Sequence, residues 1–358
     1  KNAVKQIMDH KTNTIKALSE LGRFLNQFTT KSILENKSVL FNDLFFDGFK
    51  HQIKLSKEHN GWFSEANILF AIESWAKLLT TEKLTNWITN YPIETVSQKK
   101  IAIIMAGNIP MVGFHDIICV WLSGHKAMVK CASKDLFLLP YMTSFLEHEA
   151  GEQKITFTAQ KLENFHAVIA TGSNNAARYF DHYFSSYPNI IRKNRNGVAV
   201  LNGTESEEEL IGLGKDMLQY FGLGCRNVAK IYLPRGYDLN LIFGAIFSHA
   251  EIINHAKYGN NYDYNKAVWL MSEFDFLENG FFMLKEDTDF SAPISCAFYS
   301  YYDNMEDVKQ ELQTHKDSIQ CVVSKLDIDG AIALGSAQQP SLWDYADGID
   351  TLRFLEKI

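Results

Sequence analysis

The sequence predicts an α/β fold with two units, each built on a mostly parallel sheet. The first observation is a set of short, continuous apolar runs, such as residues 101–105 and 166–170, which are typical of strands buried on both faces. The second is that segments with apolar residues at helical spacing separate these runs, as in βαβ units. The third is that similar runs recur after residue 225, which indicates a second α/β unit.

The composition limits the classes of function that the chain can have. Its 358 residues can form two domains with sizeable cores, and its hydrophobic fraction of 46% and charged fraction of 22% are ordinary for a globular protein. The net charge of −7 and the scattered basic residues argue against nucleic acid as a partner. The five cysteines include no CxxC pair, so we expect no metal site, and their small odd number favours a reducing compartment.

No segment has the character of a membrane anchor. Residues 1–6 are amphipathic and lack the apolar core of a signal peptide. The longest apolar stretch, residues 101–122, is interrupted by polar residues that include Asn108 and Asp116, which a membrane span would not tolerate easily. We therefore expect no membrane span and a cytoplasmic location.

The elements of the first unit, placed at residues 1–200, follow from the hydrophobic periodicity. Residues 1–90 predict helices that cover a later sheet. Strands and helices then alternate in this order: strand 101–105, helix 112–122, strand 127–130, helical residues 136–142, strand 166–170, helix 175–184 and strand 198–201.

The second unit is placed at residues 201–335, and residues 336–358 are expected to return to the first unit or to form an oligomer contact. Its predicted elements are, in order, an acidic helix at 205–218, a strand at 228–233, a long helix at 239–255 and strands near 268–271, 294–298 and 319–323.

Cys225 is the strongest candidate for chemistry. It lies in the segment FGLGCRNV, between small glycines and the predicted strand at 228–233. A free cysteine is more often a small buried hydrophobe, and the other four cysteines occur in or at the ends of apolar elements. Only Cys225 occupies a glycine-flanked loop, where a thiol could be exposed and activated by nearby backbone N–H groups.

Asn108 follows the predicted strand at 101–105 in the segment AGNIP. An asparagine near a proline at a strand end is ordinarily a turn residue. Its amide could instead donate to an oxyanion, together with the backbone N–H of Cys225, at the strand ends where open α/β sheets bind ligands. A thiol and an amide donor are the minimum needed for acyl chemistry through a thioester.

Three further strand ends carry weaker signals. Lys130 ends the second strand and is either a surface lysine or a contact to a cofactor ribose. Thr171, Gly172 and Ser173 open a helix, as a capped turn or as a site for a pyrophosphate. No GxGxxG motif is present.

In this order, these segments resemble the aldehyde dehydrogenase superfamily, and more closely its acyl-CoA reductase (LuxC-like) branch, over roughly residues 95–358. The segment at 106–110 is similar to the superfamily's PWNFP, the strand ending at Lys130 to its ribose-binding strand, and Gly224-Cys225 to its nucleophile segment. Residues 339–343 (QPSLW), Asp347-Gly348 and residues 254–258 (NHAKY) look specific to the reductase branch.

The resemblance implies a Rossmann-type cofactor domain and a catalytic domain that carries the nucleophile. It assigns Cys225 as nucleophile, Asn108 as oxyanion donor, and Lys130, Ser133, Thr171, Gly172 and Ser173 to the cofactor. It implies that the Cys225 thiolate takes an acyl group from acyl-CoA, that hydride from a nicotinamide reduces it, and that an aldehyde leaves. His255 and Tyr258 are candidates for the acyl or CoA side, or for the core.

Two departures from the family pattern refine this expectation. The family's aldehyde-oxidising members carry an ELGGK segment whose glutamate activates water, whereas residues 192–197 here read RKNRNG. Without that base, acyl transfer and reduction are favoured over aldehyde oxidation. Ser133 stands where NAD-preferring members often have a glutamate, and with Lys134 it could accept a 2′-phosphate, which favours NADPH over NADH.

Several alternatives stay open at this stage. The chain could reduce an acyl phosphate, act as an aldehyde dehydrogenase, or serve as an acyl-accepting subunit of a multi-enzyme complex without turnover of its own. The helical N-terminal segment, which the resemblance does not explain, is where a partner protein could dock, and a homo-oligomer is equally compatible.

Overall fold

Two α/β units, each with its own sheet, make up the chain, and the predicted fold class is confirmed. The computed structural model describes residues 2–91 and 97–358, with side chains described from Lys11 onward, so the prediction for the side chains of residues 1–6 lies outside the described part. The first unit comprises Lys1–Lys193 with Ser341–Ile358, and the second comprises Asn194–Pro340.

The helices and strands have the following bounds. The helices are α1 Asn2–Leu25, α2 Asn42–His59, α3 Glu65–Leu78, α4 Thr81–Ile88, α5 Phe114–Leu122, α6 Leu138–Ala150, α7 Asn174–Phe184, α8 Glu207–Leu218, α9 Asn240–Ile246, α10 Ala256–Met271, α11 Met305–Thr314 and α12 Thr351–Leu355. The strands are β1 Lys100–Ile104, β2 Lys126–Lys130, β3 Ile155–Phe157, β4 Ala167–Thr171, β5 Asn189–Arg192, β6 Asn196–Val200, β7 Val228–Pro234, β8 Leu277–Glu278, β9 Met283–Glu286, β10 Cys296–Tyr302 and β11 Ile319–Val323.

The first unit contains a five-stranded parallel sheet in the order β3-β2-β1-β4-β5. The strand order reverses at β1, because the chain proceeds outward to β2 and β3 on one side and returns to β4 on the other. In doubly wound sheets, ligands bind outside the carboxyl ends of the strands at such a point. The segments that follow β1 and β4 are therefore the places where this topology predicts a ligand.

The N-terminal helices pack on one another and on α6, and not chiefly on the sheet as predicted. Their common core is aromatic: the rings of Phe24 and Phe145 stack with centroids 4.9 Å apart, and Phe28 and Phe49 meet edge-on at 5.0 Å. The sequence shows the apolar faces of these helices, but it does not show that another helix, α6, covers them.

The C-terminal segment belongs to the first unit. In β5, Arg192 donates two hydrogen bonds to Asp116 of α5, at 2.6 and 2.9 Å, and a third to the hydroxyl of Thr351 in α12 at 3.1 Å. All three residues are buried. Buried charges are tolerated only when they are paired in this way, so the triad fixes α12 against α5 and β5.

The second unit contains a six-stranded sheet in the order β11-β6-β7-β10-β9-β8, in which only the short β8 runs antiparallel to its neighbour. The strand predicted at 198–201 as the last of the first sheet is β6 of this one, because it pairs with β7 and β11. The second unit begins at Asn194, just before β6, and ends at Pro340, whereas the predicted boundaries are 201 and 335.

Two further element predictions were wrong. The apolar run at 268–271 is the end of α10 and not a strand: Trp269 is buried, whereas Val268, Leu270 and Met271 are exposed, as on one face of a helix. The helix predicted at 239–255 is interrupted, since α9 passes into a 3₁₀ helix at Phe247–Asn254 and α10 then starts after His255.

Short strands were missed, namely β3, β5, β8 and β9, which have two to four residues each. Such lengths leave too little periodicity to detect. Across the described part of the chain, no helix combines the length and apolar character that crossing a bilayer requires.

Candidate active site

The carboxyl ends of three neighbouring strands align in the first unit. Ile104, at the end of β1, is paired with Lys130 of β2 on one side and with Ala170 of β4 on the other. The predicted residues Lys130 and Thr171 therefore lie at the same edge of the sheet, and the loop that carries Asn108 leaves from the strand between them.

The loop after β1 is held by a buried carboxyl. The Met111 N–H donates to Oδ2 of Asp135 at 2.9 Å, and Met111 has a φ of 58°, in the left-handed region. Gly107 permits the close approach, because a Cβ there would lie 2.6 Å from the Cβ of Ala132. The half-buried Asn108 lies between these two fixed points.

The loop after β2 carries the predicted ribose contacts. Lys130 is half-buried at the strand end, and Ser133 and Lys134 are exposed beyond it. The N-terminal helices reach this loop, since Nε2 of His59 lies 2.7 Å from the carbonyl oxygen of Ser133. A segment that the resemblance leaves unexplained therefore contacts the predicted cofactor side.

The turn after β4 is an N-capped helix start. Ser173 has extended backbone angles, and its hydroxyl accepts the Ala176 N–H at 3.3 Å. A Cβ at Gly172 would lie 2.9 Å from Ala176, so this turn needs a glycine to pass close to the helix. The predicted capped turn at 171–173 is thus present at the edge that β1 and β4 form.

These residues fit a nucleotide. Doubly wound sheets contact ribose and pyrophosphate beside the point where the strand order reverses, which here is at β1. This edge carries a lysine at the end of β2 and the start of a helix after β4, which suit ribose and pyrophosphate respectively. If a nicotinamide nucleotide binds here, Lys130 and Ser133 would hold the ribose, and the turn 171–173 would receive the pyrophosphate.

In the second unit, Cys225 lies on a turn between α8 and β7 and is half-buried. The chain reaches it through the 3₁₀ helix Gln219–Gly222, in which Tyr220, Phe221 and Gly222 all have φ between 56° and 74°. Left-handed angles cost non-glycine residues roughly 1–2 kcal/mol each, so this turn persists only because its surroundings fix it.

Asn227 supplies much of that support. Its side-chain oxygen accepts the Gly224 N–H at 2.7 Å, and its amide nitrogen donates to the carbonyl oxygens of Asp216 and Gln219 at 3.0 and 2.9 Å. Asn227 is buried. One side chain thus binds the end of α8 to the residue that precedes Cys225, which limits the movement of the thiol.

A second support comes from Asp216, a fully buried carboxyl on α8. Its two oxygens accept the N–H groups of Gly335 and Ala337 at 2.6 and 2.9 Å. The Ala337 carbonyl oxygen in turn accepts from Nε of Arg226, the neighbour of Cys225. Gly335 has a φ of 87° and packs against Gly212, which allows the loop to lie so close to α8.

The two residues predicted on the substrate side differ in position. The ring of His255 lies on that of Phe221, with centroids 4.2 Å apart, and so contacts the turn that leads to Cys225. Tyr258 is completely buried and its hydroxyl donates to the Phe281 carbonyl oxygen at 3.0 Å. The core alternative therefore describes Tyr258 better, and the structure does not support it as a substrate contact.

The other cysteines have environments that disfavour a thiolate. Burial raises the pKa of Cys131 and of Cys296 to about 12, and raises that of Cys119 well above its usual value. Cys321, in the apolar strand β11, is half-buried, and its Sγ lies 3.7 Å from the Arg226 carbonyl oxygen. It is therefore a natural control for Cys225.

Asp216 and Asp135 give a paired prediction for stability. Burial raises the pKa of each carboxyl to about 6, although the backbone N–H groups that donate to each carboxyl lower it in part. Because the pKa is higher in the folded state than in the unfolded state, protonation of each carboxyl stabilises the fold. This stabilisation is present at low pH and is lost as the pH rises through about 6.

The two asparagine variants should nevertheless behave differently. Asp216→Asn places an NH₂ against a backbone N–H, and we expect a loss of about 1–3 kcal/mol at pH 7.5. Within the described residues, Oδ1 of Asp135 accepts no hydrogen bond, so Asp135→Asn should lower the free energy of unfolding by less than about 1 kcal/mol. Because wild type loses stability as Asp135 ionises, the stability of this variant relative to wild type should increase from pH 5 to pH 7.5. Urea unfolding at both pH values checks this; equal losses in the two variants would contradict it.

Sequence reasoning missed Asp216, Asn227, Asp135 and His59. One signal was present: Asp216 falls on the apolar face of an otherwise amphipathic helix, beside Leu213 and Met217, where a charge needs a partner. Asn227 follows Cys225 by two residues, but nothing in its spacing indicates which groups it would bond. Asp135 and His59 act across long separations in sequence and left no local pattern.

The fold is that of aldehyde dehydrogenases. The chain is similar to aldehyde dehydrogenase 21 from Physcomitrella patens, solved with the reaction product succinate, over 91% of this chain and 76% of the other, with a TM-score of 0.60 and 10% identity. Indole-3-acetaldehyde dehydrogenase AldA from P. syringae, in complex with NAD⁺ and IAA, matches over 84% and 69%, with a TM-score of 0.61 and 10% identity.

A third structure, a methylmalonate-semialdehyde dehydrogenase homologue from Sinorhizobium meliloti complexed with NAD, matches over 90% of this chain and 74% of the other, with a TM-score of 0.59 and 9% identity. At the level of sequence, no protein-family model and no curated protein matches the chain. Identities this low establish the fold and leave the chemistry to be argued from the residues.

Proposed function

We propose that the protein is a cytoplasmic oxidoreductase that reduces an acyl-CoA thioester to an aldehyde, with NADPH preferred over NADH. The observation that carries the proposal is the half-buried Cys225 on a strained turn that Asn227 and Asp216 hold in place. Acyl transfer needs a nucleophile held in one geometry, and this turn provides one.

The acyl-transfer step uses groups of this chain. The Sγ of Cys225 attacks the carbonyl carbon of the acyl-CoA, the carbon–sulfur bond to CoA breaks, and CoA leaves with its electron pair. The backbone N–H of Cys225 donates to the oxygen that becomes negative, and the family resemblance assigns the side-chain amide of Asn108 as a second donor. One such donor typically contributes about 3 kcal/mol to transition-state stability.

The acyl group then leaves Cys225 as an aldehyde. A bound nicotinamide supplies the hydride that this reduction needs. The carbon–Sγ bond breaks, the electron pair returns to the Cys225 thiolate, and the carbonyl re-forms. Lys130, Ser133 and the turn 171–173 bind and orient the nucleotide.

Reduction, and not hydrolysis, is favoured by the segment at 192–197. It carries no carboxylate, and its first residue, Arg192, is committed to the buried pair with Asp116. With no general base supplied by this segment, water is not activated from there, and the acyl-enzyme survives until hydride arrives.

The test is a cofactor-oxidation assay with acyl-CoAs of graded chain length, run with NADPH and with NADH. We expect oxidation of NADPH that depends on acyl-CoA and one molecule of aldehyde per molecule of cofactor. Acyl phosphate as the better substrate, or NAD(P)⁺-dependent oxidation of aldehydes without the reverse reaction, would replace the proposal with one of those activities. Acylation without reduction would indicate an acyl-accepting subunit that needs a partner protein.

A further inference from the structure

The C-terminal end of α2 is anchored to the loop that follows β2. Nε2 of His59 lies 2.7 Å from the Ser133 carbonyl oxygen, and Nδ2 of Asn60 donates to the Lys134 carbonyl oxygen at 3.3 Å. Asn60 is buried, which fixes the end of the helix, and all four residues belong to the first unit. His59 and Asn60 at the end of α2 therefore hold the backbone of the loop after β2 at two consecutive residues.

This contact determines the chemistry that His59 can offer. A carbonyl oxygen only accepts, so Nε2 of His59 carries the hydrogen, and the remaining ring nitrogen, Nδ1, becomes a second donor when the ring is protonated. An edge-on contact with Phe137, at 5.3 Å between ring centroids, restricts the orientation of the ring. His59 is nevertheless exposed and can meet a ligand.

The charge at this place suits an anion. The exposed Lys134 lies in the loop that His59 contacts, and the acidic residues of α2 and α3 that are nearest to His59 in sequence have cationic partners. Glu58 lies 3.8 Å from Lys54, and Glu65 lies 3.4 Å from Lys57. The nearby carboxyl of Asp135 is buried and accepts the Met111 N–H.

The place in the fold identifies the anion. The end of the second strand is where nucleotide-binding sheets contact the hydroxyls of the adenosine ribose, and where a cationic side chain accommodates a 2′-phosphate. We propose that His59 of α2 is a specificity-determining residue that, with Lys134, recognises the phosphate monoester on the 2′ position of the nucleotide's ribose. The proposal rests on the nucleotide-binding part of the proposed function and gives the N-terminal helical segment a role in it.

Binding of 2′,5′-ADP and of 5′-ADP, measured by calorimetry, tests the proposal without turnover. We expect wild type to prefer 2′,5′-ADP, and His59→Ala to weaken it about tenfold while 5′-ADP is unchanged, because a charge-assisted hydrogen bond is lost. His51→Ala, which removes another exposed histidine of α2, should change neither ligand.

Three outcomes would overturn the inference: equal weakening of both ligands in His59→Ala, no weakening of either, or a wild type that does not distinguish them. Because the ligands carry no nicotinamide, the result is separate from acyl-CoA reduction. Selective binding of 2′,5′-ADP with no aldehyde formation would retain the role of His59 and reject the reductase.

Discussion

Replacing Cys225 with alanine is expected to abolish the transfer of a labelled acyl group from acyl-CoA to the protein. Alanine keeps the small volume of the side chain and removes the sulfur that the proposed mechanism uses to form the thioester, so the loss should be at least about a thousandfold. Because the side chains of Asn227 and Asp216 hold the turn, the variant should fold and still bind nucleotide. Radiolabel incorporation and intact mass measure the result.

Cys321→Ala is the matched control. Cys321 is also half-buried, and its Sγ lies near the carbonyl oxygen of Arg226, the residue next to the proposed nucleophile. We expect this variant to accept the label as wild type does. Labelling that persists in Cys225→Ala and disappears in Cys321→Ala would move the nucleophile to the other cysteine.

Replacing Arg192 with leucine is expected to have the largest effect on stability, a loss of about 3–5 kcal/mol in the free energy of unfolding. The substitution leaves Asp116 buried without its bidentate partner, and an uncompensated buried charge is far more costly than a broken surface pair. It also removes the bond to Thr351, so the C-terminal segment should become accessible to protease. Urea unfolding followed by circular dichroism, with limited proteolysis, checks both effects.

Arg235→Leu is the matched control, because it removes an arginine from an exposed ion pair with an aspartate. Arg235 also makes a bidentate contact with its partner, Asp303, at 2.8 and 2.9 Å, but both side chains are 68% exposed. Water and salt screen such a pair, and we expect only a small part of the loss predicted for Arg192→Leu. A double replacement, Arg192→Leu with Asp116→Leu, should recover part of the loss. Similar losses for Arg192→Leu and Arg235→Leu would show that burial of the first pair has no special cost.

The sequence was sufficient to predict the elements that have a clear hydrophobic pattern along their own length. Strands buried on both faces, such as β1 and β7, were evident as apolar runs, and the alternation with helices indicated parallel sheets. The run at 268–271 was misread because β-branched and aromatic residues suit a strand, while its single buried residue, Trp269, reveals a helix only once the packing is known. The assignment of β6 to its sheet depended on pairing with β7 and β11, which no local pattern records.

For the candidate site, the sequence identified the turn of Cys225 and the strand ends that carry Asn108, Lys130 and Thr171. The side chains that hold these segments were not predictable, because their bonds join residues far apart in the chain. Asp216 reaches Gly335 and Ala337, and His59 reaches Ser133. For Tyr258 the sequence left a substrate contact and a place in the core both open, and its buried hydroxyl bonds the Phe281 carbonyl oxygen.

A single-turnover experiment tests the central claim most directly. Wild-type protein is first incubated with acyl-CoA in the absence of nucleotide, freed of excess substrate, and then mixed with NADPH. The account predicts an acyl group on the peptide that contains Cys225, and its release as aldehyde in an amount equal to the NADPH oxidised. Release as the free carboxylic acid, or an acyl group found on a different residue, would contradict it.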